Sequence, residues 1–333
     1  MGIIEIFSGI SGSSLNSLYV IFVINPVVSI IIPTLNGGKV FRKLLEQLSI
    51  QSVRADELLV VDSGSNDETV NVAAEFGATI IEIPKQEFDH GATRSMAARR
   101  AKGNILLFFT QDAVPATADV IEKLIEPLIH DATIALSYGR QLPNNDASLS
   151  ATALRIFNYP PQSVVREFSD REKLGLKTAF VSNSCAAYER SCLEEVSFFP
   201  ESLIFGEDTC TAGRLLERGY KIAYVAEAAV FHSHNYTLIQ EFRRSFDIGV
   251  LHRSEQWLCE TFGRAEGEGL KYIKYELSML LTPKMLYQLP LFFCRNLTKF
   301  LGYKFGTKYG NLPQWILPKL SMNSSWWHRN VTR

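Results

Sequence analysis

Residues 106–115, LLFFTQDAVP, run from four apolar side chains directly into Thr110, Gln111 and Asp112. The apolar run predicts a buried strand, and the polar residues stand at its carboxyl end. An ionised carboxylate beside a core costs free energy unless water, a positive group or a metal ion compensates its charge. The position of Asp112 therefore raises the question of what compensates it.

Apolar runs of strand type alternate with helix-like patterns from Val28 onward. The strand candidates are residues 28–34, 57–63, 78–83, 104–110 and 133–139. This alternation predicts an α/β fold with a mostly parallel sheet covered by helices on both faces. Ligands of such folds bind at the carboxyl ends of the strands. Three of these ends read PTLNGG, DSGSND and TQDA, which are small, polar stretches suited to a nucleotide. No glycine-rich dinucleotide or P-loop motif occurs.

Composition limits the broad class of the protein. A chain of 333 residues with 46% hydrophobic content can fold as one large domain or two, and its formal net charge of -1 argues against a general polyanion binder. The five cysteines form no C-x-x-C pair, which favours a reduced, cytosolic protein. Residues 1–25 hold an apolar run of only seven residues and no Lys or Arg. They match neither a spanning helix nor a signal peptide, and we expect a loosely ordered extension.

The last fifty residues have a different character from the rest. No Asp or Glu follows Glu276, and residues 284–333 carry eight Lys or Arg and ten aromatic residues. This mixture predicts an interfacial segment attracted to anionic lipid. A helical appendage that packs against its own domain is the alternative, and nucleic-acid binding is a third interpretation.

Several blocks taken together resemble glycosyltransferase family 2, whose members have the GT-A fold. The blocks are SIIIPTLNGG, VVDSGSNDET, FDHGATRS, FTQDA, SNSCAAYER, FGEDTCTAGRLLERGYKIAYVAEAAVFHSH and FRRSFDIGV, and they span roughly residues 28–250. FDHGATR and TQDA are the forms of the bacterial rhamnosyltransferase-like branch. The resemblance implies a Rossmann-like GT-A catalytic domain at residues 26–240, and the composition of the tail predicts that a helical, membrane-associating region follows at 241–333. It also makes nucleic acid an unsuitable partner for the tail.

The resemblance further implies a binding site for the nucleotide-sugar donor. It would be formed by Pro33, Thr34, Asn36, Asp62, Ser63, Arg94, Gln111, Asp112 and Glu207. Asp62 matches the carboxylate that binds the nucleobase edge, and Arg94 matches the basic residue near the diphosphate. The alternatives are that Asp62 and its neighbours make turn and cap bonds, and that Arg94 is a surface residue. Ser95 stands where the family usually has Asn.

Asp112 matches the last carboxylate of the metal-binding motif of the family, in which Thr110 replaces the first. His232 matches the metal-binding histidine, and His234 shares its face of a strand. The implied cofactor is Mg²⁺ or Mn²⁺, which can be held by few carboxylates together with substrate phosphates. The alternatives are a capping role for Asp112 and a structural role for His232. We also expect two short strands, ending at His232 and His234.

Glu207 and Asp208 match the acidic pair of the family, in which the second residue, Asp208, is the catalytic base. Neighbours on a helix point in different directions, so we expect Glu207 to face away from the acceptor. The two acids could instead only favour a helix start. Cys210 occupies a position where Asp is common, and nothing in the sequence explains it.

The resemblance thus implies an inverting transfer of a sugar, namely L-rhamnose from dTDP-rhamnose, to a surface polysaccharide such as O-antigen or to a lipid-linked glycan. The enzyme would be cytoplasmic and peripheral on the inner membrane. Three alternatives stay open: another donor such as a UDP-sugar, a nucleotidyltransferase-like enzyme, which would lack its basic phosphate loop here, and a non-catalytic glycan-assembly subunit.

Overall fold

The computed structural model describes residues 26–263 and 266–330. The extension expected at residues 1–25 lies outside them. The strands are β1 (Val28–Thr34), β2 (Glu57–Asp62), β3 (Thr79–Glu82), β4 (Ile105–Phe109), β5 (Val114–Pro115), β6 (Ile134–Leu142), β7 (Val164–Arg166), β8 (Cys185–Glu189) and β9 (Lys221–Phe231). The five strands expected from the sequence are thus all present.

The helices of the first two thirds of the chain are α1 (Gly38–Ser49), α2 (Thr69–Glu75), α3 (His90–Arg100), α4 (Val120–His130), α5 (Leu149–Asn158), α6 (Arg171–Leu174), α7 (Arg190–Glu195) and α8 (Glu207–Glu217). The later helices are α9 (Leu238–Ser254), α10 (Gln256–Phe262), α11 (Glu266–Leu280), α12 (Leu289–Gly306), α13 (Leu317–Leu320) and α14 (Ser324–Asn330). Short 3-10 turns join several of them.

Within residues 26–263 and 266–330, the nine strands lie in one sheet, in the order β3-β2-β1-β4-β8-β6-β9-β5, with β7 also paired to β9. The pairs β1/β2, β1/β4, β2/β3 and β6/β9 are parallel. Strand β8 runs antiparallel between β4 and β6, and β5 and β7 run antiparallel to β9. The sheet is therefore mixed: the regular alternation at the start of the chain supplies the parallel strands β1 to β4, and antiparallel β8 joins them to the parallel pair β6/β9.

The expectation of two short strands before the histidines is wrong. Strand β9 is continuous over eleven residues and ends at Phe231. Its register against β6 jumps from the pair Gly139/Val225 to the pair Arg140/Ala229. This bulge absorbs residues 226–228, so the strand continues where the sequence pattern indicated a break.

The sheet separates two apolar clusters. Successive residues of β1 point to opposite faces, so Ile31 belongs to one cluster and Ile30 to the other. One cluster is covered by α1, α2 and α4. The other is covered by α3, α8 and α9 and includes Trp327, which is 1% exposed.

The C-terminal helices pack closely onto the rest of the molecule. Gly302 and Gly306 of α12 face the backbone of α9, where a Cβ at Gly302 would lie 2.4 Å from the carbonyl oxygen of Phe242. Helix α9 spans the boundary predicted at residue 240. Within the described ranges, no helix combines the length and apolar content needed to cross a membrane.

Candidate active site

The loops after β1, β2 and β4 meet at the carboxyl edge of the parallel strands. Leu35 N donates to Gln111 Oε1 at 2.8 Å, and Gln111 Nε2 donates to Leu35 O at 3.2 Å. The Ser63 hydroxyl donates to Thr34 O at 2.9 Å. Asn36 N donates to the Ser65 hydroxyl at 2.8 Å. The three polar stretches that the sequence singles out therefore form one continuous surface.

Two other residues expected at the nucleotide-sugar site, Asn36 and Pro33, lie in the same place. Asn36 adopts a left-handed backbone conformation, with φ +48°, and its side-chain oxygen accepts from Asn66 N at 2.9 Å. Asn tolerates this conformation better than most residues. Pro33 lies in β1 opposite Val61. Both residues belong to the first strand end and its loop.

Asp62 is buried, and the loop around it uses both of its oxygens. Oδ2 accepts from Gly64 N at 3.0 Å and from Ser65 N at 2.8 Å. Oδ1 accepts from the Ser65 hydroxyl at 2.5 Å and from the Thr34 hydroxyl at 3.3 Å. A carboxylate has about four acceptor positions, and all four are in use. This arrangement corresponds to the turn-forming role, and a base contact at Asp62 requires release of the longer Thr34 bond.

Asp112, His232 and His234 form a cluster at the far end of this edge. Val114 of β5 pairs with Phe231 of β9, which brings the loop of Asp112 beside the two histidines. His232 Nδ1 lies 3.3 Å from Asp112 Oδ1, and His234 Nε2 lies 3.7 Å from Asp112 Oδ2. One ligand atom from each of the three residues falls within 4.8 Å of the others.

The protonation states in this cluster suit a cation. Burial alone would raise the pKa of Asp112, but His232 and His234 outweigh it and lower that pKa to about 2. Burial and the neighbouring His232 lower the pKa of His234 to about 4, so its ring is neutral at pH 7. His232 Nδ1 is buried and makes no hydrogen bond with any described residue. One carboxylate, one neutral imidazole and a second buried ring nitrogen that makes no hydrogen bond fit a divalent cation.

Glu207 and Asp208 begin α8 after Gly206, whose φ of +82° favours glycine. Glu207 Oε1 lies 3.0 Å from Arg94 Nη1, and each side chain is 6% exposed. Burial would raise the pKa of Glu207, but Arg94 and then His90 lower it. Glu207 is thus an ionised residue whose charge is compensated inside the protein. Arg94 is correspondingly buried against Glu207 and is not a surface residue.

Asp208 has a different environment. Asn183 N donates to its Oδ2 at 3.1 Å, and Thr209 N donates to its Oδ1 at 2.7 Å. Burial, followed by the charge of Glu207, raises the pKa of Asp208 to about 6. No Lys, Arg or His lies within ion-pair distance of Asp208 in the portion of the chain that the structure covers. A carboxylate with such a pKa is suited to accept a proton near neutral pH.

The segment Ser182–Ser184 connects the two groups of acids. Its Ser184 O accepts from Thr110 N at 3.4 Å, two residues before Asp112. The backbone N of Asn183 donates to Asp208, as described above, and its side-chain amide donates to Glu207 at 3.4 Å. The Tyr188 hydroxyl donates to Asn183 Oδ1 at 2.7 Å. One short segment therefore links Asp208 to the strand end that precedes Asp112.

Asn183, Tyr188 and His90 were not singled out from the sequence. The signal was present, because they lie inside the quoted blocks SNSCAAYER and FDHGATRS. Ser95, which replaces the usual Asn, exchanges hydrogen bonds with the backbone of Phe199, donating to its oxygen at 3.2 Å. Its role in this structure is to hold that segment.

Two arginines near the histidines were also missed. Arg155 lies on α5, whose start is fixed to the histidine segment by Ser148 N donating to Asn235 Oδ1 at 2.7 Å. Its buried Nε has no hydrogen-bond partner among the described residues. The Arg244 guanidinium lies 4.3 Å from the centre of the Phe205 ring, just before Gly206. Neither arginine forms an ion pair with another described residue.

Comparison with known proteins gives a consistent picture. Residues 29–197 match the sequence model described as Glycosyl transferase family 2. The chain is 43% identical over 303 residues to O-antigen chain rhamnosyltransferase RfbN of Salmonella typhimurium, covering 90% of this chain and 96% of the relative. It is 39% identical over 305 residues to O-antigen chain rhamnosyltransferase WbaN of Salmonella anatum, covering 91% and 96%.

A solved structure resembles the overall fold. It is the mannosyltransferase PcManGT from Pyrobaculum calidifontis, in complex with GDP-Man and Mn²⁺. The TM-score is 0.61 at 16% identity, with 86% of this chain and 88% of the other covered. At this identity the likeness concerns the fold.

Proposed function

The chain belongs to glycosyltransferase family 2 and has the GT-A fold, and from this premise we propose that it transfers L-rhamnose from dTDP-rhamnose to a growing O-antigen chain or its lipid-linked precursor. Two rhamnosyltransferase relatives at 43% and 39% identity support the sugar and the acceptor. The observation that carries the catalytic proposal is the segment Ser182–Ser184. It contacts both Asp208 and the strand end before Asp112, and so links the proposed base to the proposed cation site.

The donor nucleotide would bind at the meeting point of the three loops. We propose that Thr34, Ser63 and Gln111 shape this surface, with Pro33 and Asn36 beside them. Asp62 would hold the loop in position and reach the base edge only after the Thr34 hydroxyl moves, because its acceptor positions are otherwise in use.

Asp112, His232 and His234 would hold Mg²⁺ or Mn²⁺. When bound, the ion supplies positive charge that stabilises the leaving nucleoside diphosphate. Two observations support this assignment: the three ligand atoms lie close together, and the buried Nδ1 of His232 makes no hydrogen bond with a described residue. The bound ion would also compensate the charge of Asp112, which follows the carboxyl end of a buried strand.

Asp208 would act as the base of an inverting displacement. It takes the proton of the acceptor hydroxyl while that oxygen forms a bond to C1 of the sugar. The bond from C1 to the diphosphate oxygen breaks at the opposite side, and the leaving group keeps the electron pair. Asn183 N and Thr209 N hold the Asp208 carboxylate in one orientation during this step.

We assign Arg94 a positioning role, in contrast to the phosphate contact that the family resemblance implies. Its guanidinium is buried against Glu207, so contact with a diphosphate would leave that carboxylate unpaired. Arg155 and Arg244 are better placed to attract the diphosphate, because both lie near the histidines and form no ion pair with a described residue. Arginine suits phosphate oxygens.

The acceptor would be reached at the cytoplasmic face of the inner membrane. The C-terminal region, residues 241–333, would bring the catalytic domain at 26–240 to an anionic membrane surface there. The absence of acidic residues after Glu276 supports this part of the proposal.

A donor screen tests the proposal. Purified protein with Mg²⁺ or Mn²⁺ is mixed with dTDP-rhamnose, UDP-sugars or GDP-mannose, and thermal shift and donor hydrolysis are measured. We expect dTDP-rhamnose to give the largest shift, because a ligand of the native state stabilises it. A larger thermal shift with a UDP-sugar would mean that the donor is that UDP-sugar and not dTDP-rhamnose. Binding without hydrolysis or transfer would favour a non-catalytic glycan-assembly subunit.

A further inference from the structure

Helix α12 directs two of its positive side chains, Arg295 and Lys299, inward and exposes an apolar face. Arg295 Nη1 lies 3.1 Å and Lys299 Nζ 3.7 Å from the carboxylate of Glu241, which is 12% exposed. The Asn296 amide donates to Glu276 at 3.4 Å. A helix at a protein surface ordinarily has the opposite arrangement, with polar residues facing water.

The outward face of α12 is a continuous apolar stripe. Positions 293, 297, 300, 301 and 305 recur at the spacing of one helix face. With position 291 they expose between 41% and 62% of each side chain: Leu291, Phe293, Leu297, Phe300, Leu301 and Phe305. Soluble monomers rarely expose apolar patches of this kind unless the patch binds something.

Positive charge borders the stripe. Lys304 and Lys308 are exposed at the C-terminal end of the same face, and Lys284 is exposed before the helix. No Asp or Glu follows Glu276. A second copy of the chain seated face to face on this stripe would bring its lysines close to those of the first copy, and like charges repel. An anionic lipid surface complements both the apolar and the charged part.

We propose that the outward face of α12, defined by the six apolar residues above, docks flat on a bilayer containing anionic lipid, with Lys304 and Lys308 at the phosphates. The helix has eighteen residues, or roughly 27 Å at the usual rise. In this orientation the helix lies along the bilayer surface, and Arg295 and Lys299 stay beside Glu241 inside the protein.

The docked helix would hold the active site near the membrane. Arg295 Nη1 donates to Tyr236 O at 2.9 Å, and the Tyr236 ring stacks on His234 with centroids 5.5 Å apart. A short chain of contacts thus joins α12 to the Asp112 cluster. That the bound acceptor is lipid-linked rests on the proposed function, whereas docking itself does not.

Point substitutions in the full chain test the surface. Deleting residues 290–333 would remove Trp327 from the core and is unsuitable for this reason. The test variant is Phe293→Ser/Leu297→Ser/Phe300→Ser, and its control is Ile50→Ser/Ile129→Ser, which alters two apolar side chains that are 59% and 48% exposed elsewhere. Binding is measured by flotation with phosphatidylcholine vesicles, with and without phosphatidylglycerol.

Wild type and control should float with phosphatidylglycerol vesicles at low salt and dissociate at high salt. The triple variant should bind roughly tenfold or more weakly. Lys304→Gln/Lys308→Gln should also bind more weakly at low salt, whereas the control Lys43→Gln/Lys102→Gln should bind as wild type. Equal flotation of wild type and triple variant would overturn the proposal. So would a dimer of the wild type that the triple variant abolishes, without any vesicle binding.

The vesicle-binding test of α12 and the donor test of the proposed function can succeed or fail independently of each other. Thermal shift by dTDP-rhamnose without lipid should be the same for wild type and triple variant, because α12 lies outside the donor site. Vesicle binding by a protein that neither binds nor hydrolyses this donor would leave the α12 surface standing and reject the donor assignment.

Discussion

Arg94 and Glu207 form a buried ion pair, with Nη1 and Oε1 3.0 Å apart. Asp208, the next residue, has no such partner among the residues that the structure describes. Two adjacent carboxylates therefore have opposite properties: the pKa of Glu207 is lowered, and that of Asp208 is raised to about 6. This difference separates a structural acid from a candidate base.

Asp208→Asn should lower turnover by at least the ~100-fold typical of a lost general base. The amide keeps the size of the side chain, so binding of the nucleoside diphosphate should change little. Steady-state transfer and nucleotide titration measure the two effects. Glu217→Gln, an exposed change at the end of the same helix, should leave both unchanged. Near wild-type transfer by Asp208→Asn would mean that the base lies elsewhere.

Substitutions of Asp208 and Glu207 should change the stability of the protein in opposite directions. The folded pKa of Asp208 lies above its ordinary value of 3.8, so its contribution to stability is present at low pH and is lost as pH rises through about 6. At pH 7 Asp208→Asn should therefore stabilise the protein by on the order of 1–3 kcal/mol. Glu207→Gln leaves Arg94 buried without its partner and should cost about 3–5 kcal/mol.

Chemical denaturation at pH 7 and at pH 4 checks both signs. The gain for Asp208→Asn should shrink at pH 4, where the wild-type carboxyl group is protonated in the folded protein. A loss of stability in Asp208→Asn at pH 7 would contradict the raised pKa. No loss in Glu207→Gln would show that the ion pair contributes little.

The pH profile of transfer should follow the ionisation of Asp208. The base must be deprotonated, so kcat/KM should fall as the pH drops below about 6. The measurement is made at saturating metal, with a foldedness control at each pH. A profile that is flat down to pH 4.5 would be incompatible with a base of this pKa.

Asp112→Asn should abolish metal-dependent nucleotide binding, with at least the ~10–100-fold loss of metal affinity seen when metal sites are altered. His232→Ala should have a similar effect, and His234→Ala a smaller one, because its nitrogen lies farther from Asp112. Direct Mn²⁺ binding by electron paramagnetic resonance provides a readout that does not depend on activity. His130→Ala, an exposed histidine at the end of α4, is the control. Full transfer activity in excess chelator would exclude this role for the cluster.

Gly306→Ala should destabilise the protein, because its Cβ would lie 2.0 Å from the carbonyl oxygen of Phe246. The backbones of α9 and α12 would have to separate, which costs about 1–3 kcal/mol or more. Gly269→Ala in α11 is the matched control, since nothing lies within 4 Å of its Cβ position. The control should gain roughly 0.5–1 kcal/mol from helix propensity. Thermal unfolding distinguishes the two, and equal melting temperatures would mean that the helices can move apart freely.

The α/β class, the GT-A fold and the family were all predictable and are confirmed, because they depend on local apolar runs and on the order of the blocks. The meeting of the three loops was also predictable, since parallel strands end at one edge of a sheet. The sequence motifs likewise indicated Asp112, His232 and His234 as one cluster, and their atoms do lie together. Their metal role stays a prediction.

The partners of individual side chains were not predictable. The contact of Arg94 with Glu207 joins α3 to α8 across the fold, and no local pattern encodes it. Asp62 uses its acceptor positions within its own loop, which depends on backbone geometry. The packing of the basic, aromatic tail agrees in part with the alternative of an appendage on its own domain, and its attraction to lipid stays a prediction. Trp326 Nε1 donates to Ser202 O at 2.8 Å and Trp327 is buried, whereas α12 exposes an apolar face.

The position of Trp327 has a consequence for the synthesis of the protein. This residue shares an apolar cluster with Ile31 of the first strand, which lies 296 residues earlier in the sequence. A chain emerging from the ribosome at ~5–20 residues per second cannot close this cluster until residue 327 has emerged. The residues between them must then wait as an incomplete core. Nascent chains should be open to chaperones until that point, and products truncated before residue 327 should be cleared by cellular proteases.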